Sequence, residues 1–131
     1  MTWDYINGFF DADGSVYYTP PAKSKKRTTF ISFTNNEEII LKKIKAFLFK
    51  ELGINGFICA KKPTKDNHQI SYDLKYRYIS AIKLLEKIQT FHPKKRHRKN
   101  VLLKIHKLIP RNGKYTEKVL TAIKILEDEY K

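Results

Sequence analysis

Cysteine is almost absent. Cys59 is the only one in 131 residues, so no disulfide can close within the chain. That excludes a disulfide-stapled secreted scaffold and fits a reducing compartment. Acidic residues are also scarce, 13 against 27 Lys and Arg, which leaves a formal net charge of +14. Gly and Pro number five each, too few for a low-complexity or collagen-like chain. No apolar run approaches the roughly 20 residues of a membrane span. Met1-Thr2-Trp3-Asp4 lacks the basic-then-apolar order of a secretory leader. The expectation is an intracellular, soluble protein without a membrane partner. His92, His97 and His106 have no zinc-like spacing with cysteine, so no structural zinc is expected.

Hydrophobic residues make up 41% and charged residues 31%, as in a globular protein. The length suits one domain with its own core, and residues 1–131 are read as one. The pI of about 9.8 exceeds the value of about 9 that marks a nucleic-acid-binding domain. Such a charge attracts polyanions whatever their sequence.

Periodicity predicts a helix from Thr2 to Asp13, with Ile6, Phe9, Phe10 and Asp13 on one face. Thr2 can cap its start and Gly14 can stop it. Ser15 to Thr19 and Thr28 to Thr34 read as strands around a basic loop. A helix capped by Asn35 or Asn36 runs to about Leu52, with Ile40, Ile44, Phe47 and Leu48 inward. Phe57 to Lys61 is a third strand. The fourth runs from about His68 to Tyr76, where Ile70, Tyr72, Leu74 and Tyr76 alternate with Gln69, Ser71, Asp73 and Lys75. A helix from Ile79 to Phe91, a basic connector from Pro93 to Lys99, and helices over about 98–108 and 115–130 complete the chain. Hairpins separated by helices argue for α+β with an antiparallel sheet.

The stretch Ile6-Asn7-Gly8-Phe9-Phe10-Asp11-Ala12-Asp13-Gly14 concentrates the chemistry. Ile6, Phe9 and Phe10 make an apolar stripe for this chain's own core. Gly8 and Ala12, four apart, make a face with almost no side chain, which another helix can approach closely. Asp11 and Asp13 fall in the last turn, where the helix macrodipole disfavours carboxylates by a few tenths to about 1 kcal/mol each. A bound cation is the natural compensation. A calcium loop is excluded, because Ser15-Val16-Tyr17-Tyr18 is strand chemistry and no bidentate Glu closes the loop.

These nine residues resemble the LAGLIDADG signature of homing endonucleases. Gly8, Asp11, Ala12, Asp13 and Gly14 match it, Ile6, Phe9 and Phe10 are apolar replacements, and Asn7 departs from the usual small residue. The resemblance covers about residues 3 to 109. It implies an αββαββα core with a DNA-binding antiparallel sheet and extra C-terminal helices. Family members with one motif copy act as homodimers, and this chain has one copy. A two-fold dimer would pack Gly8 and Ala12 against themselves, flanked by Asp4, Asn7 and Asp11.

The resemblance also implies roles. Asp13 would bind the metal, helped by the Ala12 carbonyl, with Mg²⁺ as the cofactor and Mn²⁺ as a substitute. Asp11 would be a structural cap. Asn35 would position the attacking water, and it could equally cap the next helix. Lys95 falls at the family's basic catalytic position, with Lys94, Arg96 and Arg98 close by. Tyr17, Thr19, Ser32, Lys61, Gln69, Ser71, Asp73 and Lys75 would face the major groove, where Gln reads adenine, Lys reads guanine and Asp accepts from cytosine. Lys23, Lys25, Lys26, Arg27 and Lys62 in the loops, with Lys94, Arg96 and Arg98, would hold phosphates.

The expected activity is metal-dependent hydrolysis of both strands of a long, near-palindromic DNA site, in the service of intron homing. Two rivals share the fold: an intron-RNA maturase and a non-catalytic DNA-binding regulator. The presence of Asp13 weighs against the regulator.

Overall fold

The computed structural model describes residues 1–19, 28–61 and 69–131. Lys23, Lys25, Lys26, Arg27 and Lys62, expected to hold phosphates, lie outside the described residues.

The order is α1 (Trp3–Asp13), β1 (Gly14–Thr19), β2 (Thr28–Asn35), α2 (Glu38–Leu52), β3 (Phe57–Lys61), β4 (Ser71–Arg77), α3 (Ile79–Lys87), α4 (Pro93–Leu108) and α5 (Glu117–Tyr130). The four strands form one antiparallel sheet in the order β1-β2-β4-β3. This is the α+β arrangement of helix, strand pair, helix, strand pair and further helices that the motif implies.

Alternation divides the sheet into two faces. Val16, Ile31, Phe33, Leu74 and Tyr76 share one face and are buried, and the helices cover them. Ile6 and Phe10 of α1, Leu41, Ile44 and Leu48 of α2, Leu84 and Leu85 of α3, and Val101, Leu102 and Ile105 of α4 complete the same core. Leu41 replaces Ile40 and Phe47 as a fully buried α2 residue, while those two pack at its margin.

Local chemistry sets most element ends. Thr2 caps α1, its hydroxyl accepting from Tyr5 N–H at 3.2 Å. Gly53 ends α2 in the left-handed region, at φ 66°. Gly14 has a steric role. A Cβ there would come within 2.4 Å of Cδ2 of Phe10, so only glycine lets α1 turn directly into β1 over a buried ring.

Several expected boundaries change, three of them with consequences for the site. α3 ends at Lys87, not Phe91, because residues 88–92 form a connector tied to α1. α4 begins at Pro93 and not near Arg98, so the expected basic connector is a helix. Proline is favourable at a first helical position, and the His92 ring caps the turn by accepting from Lys95 N–H at 3.4 Å. β4 begins at Ser71, which leaves Ile70 exposed and Gln69 off the strand.

Candidate catalytic site and nucleic-acid interface

The last turn of α1 carries the negative end of a helix dipole and two carboxylates. Lys95, from the first turn of α4, reaches this point. Its Nζ donates to the carbonyl oxygens of Phe10 at 2.7 Å and Asp11 at 2.8 Å. The expected compensating cation is therefore supplied in part by the chain itself. Burial lowers the Lys95 pKa from its ordinary value, against the opposing attraction of Asp11 and Asp13.

Asp11 is bound within the chain. Its carboxylate accepts from the Thr90 hydroxyl and, at 3.1 Å, from Phe91 N–H. One turn earlier, Asn7 Oδ1 accepts from Gln89 N–H at 3.0 Å. Both side chains fasten α1 to the α3–α4 connector. Gly8, Ala12 and Asp4 are exposed beside them.

Burial pushes the Asp11 carboxyl up, but the Thr90 and Phe91 hydrogen bonds and the Lys95 charge outweigh it and hold it below 3.8. The folded carboxyl thus holds its proton less tightly than the unfolded one. Its contribution to stability is complete above the unfolded value and is lost as pH falls through the lower folded value. Asp11→Asn is expected to lower stability at neutral pH and to flatten the acid side of the curve. Urea midpoints from about pH 6 down to about pH 2 measure this; parallel curves for both proteins would contradict it.

Asp13 is exposed at the helix end, next to exposed Ala12. Among the described residues, no group of three or more His, Cys, Asp or Glu side chains could hold a metal ion. One chain therefore offers a carboxylate and the adjacent backbone carbonyl. That set is too small for a closed cage, but it fits a hard cation that keeps several waters and takes phosphate oxygens.

Asn35 ends β2, and its Oδ1 accepts from Glu37 N–H at 2.8 Å just before α2. That bond closes a turn ahead of the helix and is not the expected cap, because α2 starts at Glu38 with Glu37 in the cap position and no side-chain capping bond. The start of α4 carries Lys94, Lys95, Arg96, His97, Arg98 and Lys99 with no acidic residue in its first turn. Cations at a helix N-terminus oppose the dipole, and an anion would offset that cost. Five of these side chains have partners within the chain. Besides Lys95, His97 Nε2 bonds to the Glu129 carbonyl at 2.7 Å and Lys99 Nζ donates to the Ile88 carbonyl. Arg98 is half-buried, 5.2 Å over the Tyr130 ring, and Arg96 Nε donates to the Thr90 carbonyl at 3.2 Å. Lys94 is exposed.

On the sheet face away from the helices, the register aligns Ser15↔Ser32↔Lys75↔Phe57 and Thr34↔Asp73↔Cys59 in adjacent rows. Tyr17, Thr19, Ser32, Lys61, Ser71, Asp73 and Lys75 all fall on this face, as alternation predicts. Gln69 precedes the strand and accepts from Asn36 Nδ2 at 3.5 Å. Asp73 is only 3% exposed, and it accepts from the Thr34 hydroxyl at 2.5 Å and pairs with Lys61 at 3.7 Å. The structure therefore ties Asp73 to its neighbours on the face. Tyr17 and Ser32 hydroxyls share a 2.7 Å hydrogen bond.

Sequence reading missed Arg77, Phe30 and Phe57 on this face. Ending β4 at Tyr76 hides Arg77, and Tyr17 is the one aromatic side chain among the residues expected on this face. Strict alternation, carried one residue further, would have found all three.

Residues 4–89 match the model of the LAGLIDADG-like domain family. In structure the chain is similar to the LAGLIDADG meganuclease I-AabMI, determined bound to uncleaved DNA, with 18% identity and a TM-score of 0.67 over 97% of this chain and 44% of that one. It is similar to the LAGLIDADG homing endonuclease I-GzeII, in complex with its DNA target, with 13% identity and a TM-score of 0.66 over 99% and 44% of the two chains. The archaeal intron-encoded homing endonuclease I-Vdi141I, complexed with DNA, is 21% identical with a TM-score of 0.55 over 98% of this chain and 84% of that one. At these identities the likeness is one of fold. The chain spans less than half the length of the first two. No curated protein sequence matches it. Among the described residues, no helix is long and apolar enough to cross a membrane.

Proposed function

The chain belongs to the LAGLIDADG-like domain family, and from that premise we propose that residues 1–131 form one domain of a site-specific homing endonuclease. It acts as a homodimer on double-stranded DNA and hydrolyses one phosphodiester in each strand of a long, near-palindromic site. The observation that carries this reading is the meeting of Lys95 with the Asp11–Asp13 turn, across more than eighty residues of chain. A helix end that needed only solvated carboxylates would have no use for a half-buried lysine.

Asp13 and the Ala12 carbonyl of each copy would hold a divalent cation, Mg²⁺ or Mn²⁺. When bound, such a cation activates water and stabilises the leaving oxygen. Lys95 holds the last turn of α1 rigid and sets a positive charge beside the scissile phosphate. Asn35, its oxygen fixed by Glu37 N–H, would orient the attacking water through Nδ2. The outer sheet face would lie in the major groove, with Lys94 and the remaining donors of Arg96 on phosphates.

The dimer rests on the exposed Asp4, Gly8 and Ala12 face and on the relatives' lengths. Two relatives are long enough for the chain to cover 44% of them, as one half of a two-part molecule would. A Cβ at Gly8 meets nothing within 4 Å inside the chain. Gly8→Ala should therefore stabilise the isolated helix by about 1 kcal/mol. Against a second α1 the same methyl overpacks the contact, at about 1–3 kcal/mol. The expected result is a more stable subunit that dimerises less well, seen by thermal melts of dilute protein and by sedimentation at higher concentration. Unchanged sedimentation would move the interface elsewhere.

The test of function is incubation of the protein with a randomised duplex library and Mg²⁺, followed by sequencing of new ends. Staggered double-strand breaks at one long, near-symmetric sequence are expected. Retention of duplex without cutting would favour a regulator, and selective retention of intron RNA would favour a maturase.

A further inference from the structure

The outer sheet face is not uniformly polar. Register brings Tyr17, Phe30 and Arg77 into one row across β1, β2 and β4. Beside that row, the Arg77 guanidinium lies 4.5 Å over the Phe57 ring. Tyr17 and Phe30 rings stand 6.0 Å apart. With Thr19 and Lys75 these side chains line a shallow hollow of about 500 Å³. Tyr17 and Phe57 are 42% and 37% exposed. The Tyr17 ring is fixed by its bond to Ser32.

Rings gathered on a solvated sheet face can mark a contact surface, and the chemistry here selects a partner for it. A guanidinium held against a ring keeps its in-plane N–H fork for a second partner, and that fork matches the O6 and N7 acceptors of guanine. Lys75 is a point charge without a fork. The apolar ring edges of Tyr17 and Phe30 match the one apolar group in the major groove, the thymine methyl. Neighbouring strands are about 4.8 Å apart, and successive bases are about 3.4 Å apart. Residues in one row therefore reach base pairs within about three steps of one another.

Resting on the reading that this face binds duplex DNA, we propose that Arg77, held over Phe57, reads a guanine in each half-site. The hollow beside it, formed by Tyr17 and Phe30, takes the methyl of a thymine within about three base pairs.

The experiment is selection from a randomised duplex library by full-length protein in metal-free buffer, repeated with Arg77→Lys and Phe57→Leu. The wild-type pool should show a guanine with a nearby thymine in each half-site. Arg77→Lys keeps the charge and loses the fork, so preference for that guanine alone should fall by about tenfold or more. Phe57→Leu should weaken the same preference by releasing Arg77. Replacing the thymine by uracil in the selected duplex, with wild-type protein, should weaken binding about fourfold. A clear site whose every position survives Arg77→Lys and the uracil exchange would overturn this inference alone. A wild-type pool with no common sequence would overturn duplex recognition as well. Enrichment from single-stranded RNA but not from duplex would reassign the rings to base stacking.

Discussion

Asp13→Asn is expected to lower cleavage by about a thousandfold or more, with no loss of stability. A group that acts on charge developing in a transition state is worth about 10²–10³ in rate, and a symmetric dimer would lose two such carboxylates. Stability follows different arithmetic. The carboxylate sits unfavourably at a helix C-terminus, by about 0.3–1 kcal/mol. Its exposed attraction to Lys95 offsets that by about 0.2–1 kcal/mol. These nearly cancel, so the melting temperature should barely move. DNA affinity without metal should hold or tighten, since one negative charge per subunit leaves the phosphates. Single-turnover cleavage, metal-free binding and thermal melts of one preparation check all three. Cleavage within tenfold of wild type would remove Asp13 from the chemistry.

Lys95→Met is expected to damage both stability and activity, and the pair of effects distinguishes it from Asp13→Asn. Each charge-assisted hydrogen bond contributes about 1.5–3 kcal/mol, and Lys95 makes two with the carbonyls of Phe10 and Asp11. Burying the ammonium has a cost, visible in the direction of its pKa, and methionine escapes it. A net loss of about 1–3 kcal/mol is the balance. Cleavage should fall by about a hundredfold or more, because the positive charge is lost and the turn carrying Asp13 loosens. A purely structural lysine would be rescued by cooling until the variant is fully folded. Full recovery of rate under those conditions would assign Lys95 to the fold alone.

The parts of this molecule that were legible in the sequence are those fixed by neighbours in the chain. Ile6, Phe9 and Phe10 announce α1 by spacing, Thr2 caps it, and Gly14 ends it where any Cβ would strike Phe10. Alternation also assigned Tyr17, Ser32 and Lys75 to the outer face correctly. What escaped was settled by distant partners. Pro93 and a run of cations look like a connector, yet His92 and the carboxyl end of α1 make them the first turn of a helix. Residues 88–91 keep helical spacing, yet Asn7 and Asp11 draw Gln89, Thr90 and Phe91 out of the helix. Asp73 lies on the face alternation predicts, but it is tied to Thr34 and Lys61, a partnership that no local pattern encodes.

The bonds that hold α1 to the connector and to α4 join residues 79 to 85 positions apart. During protein synthesis, chain emerges at about 5–20 residues per second. The motif helix would thus wait roughly 4–17 seconds on the ribosome before its anchors exist. Through that interval Ile6 and Phe10 have only part of their core to bury against. Contacts of such separation also slow refolding. The last turn of α1 is therefore among the last parts to lock, and no nascent fragment that stops short of α4 can make its contacts with Lys95.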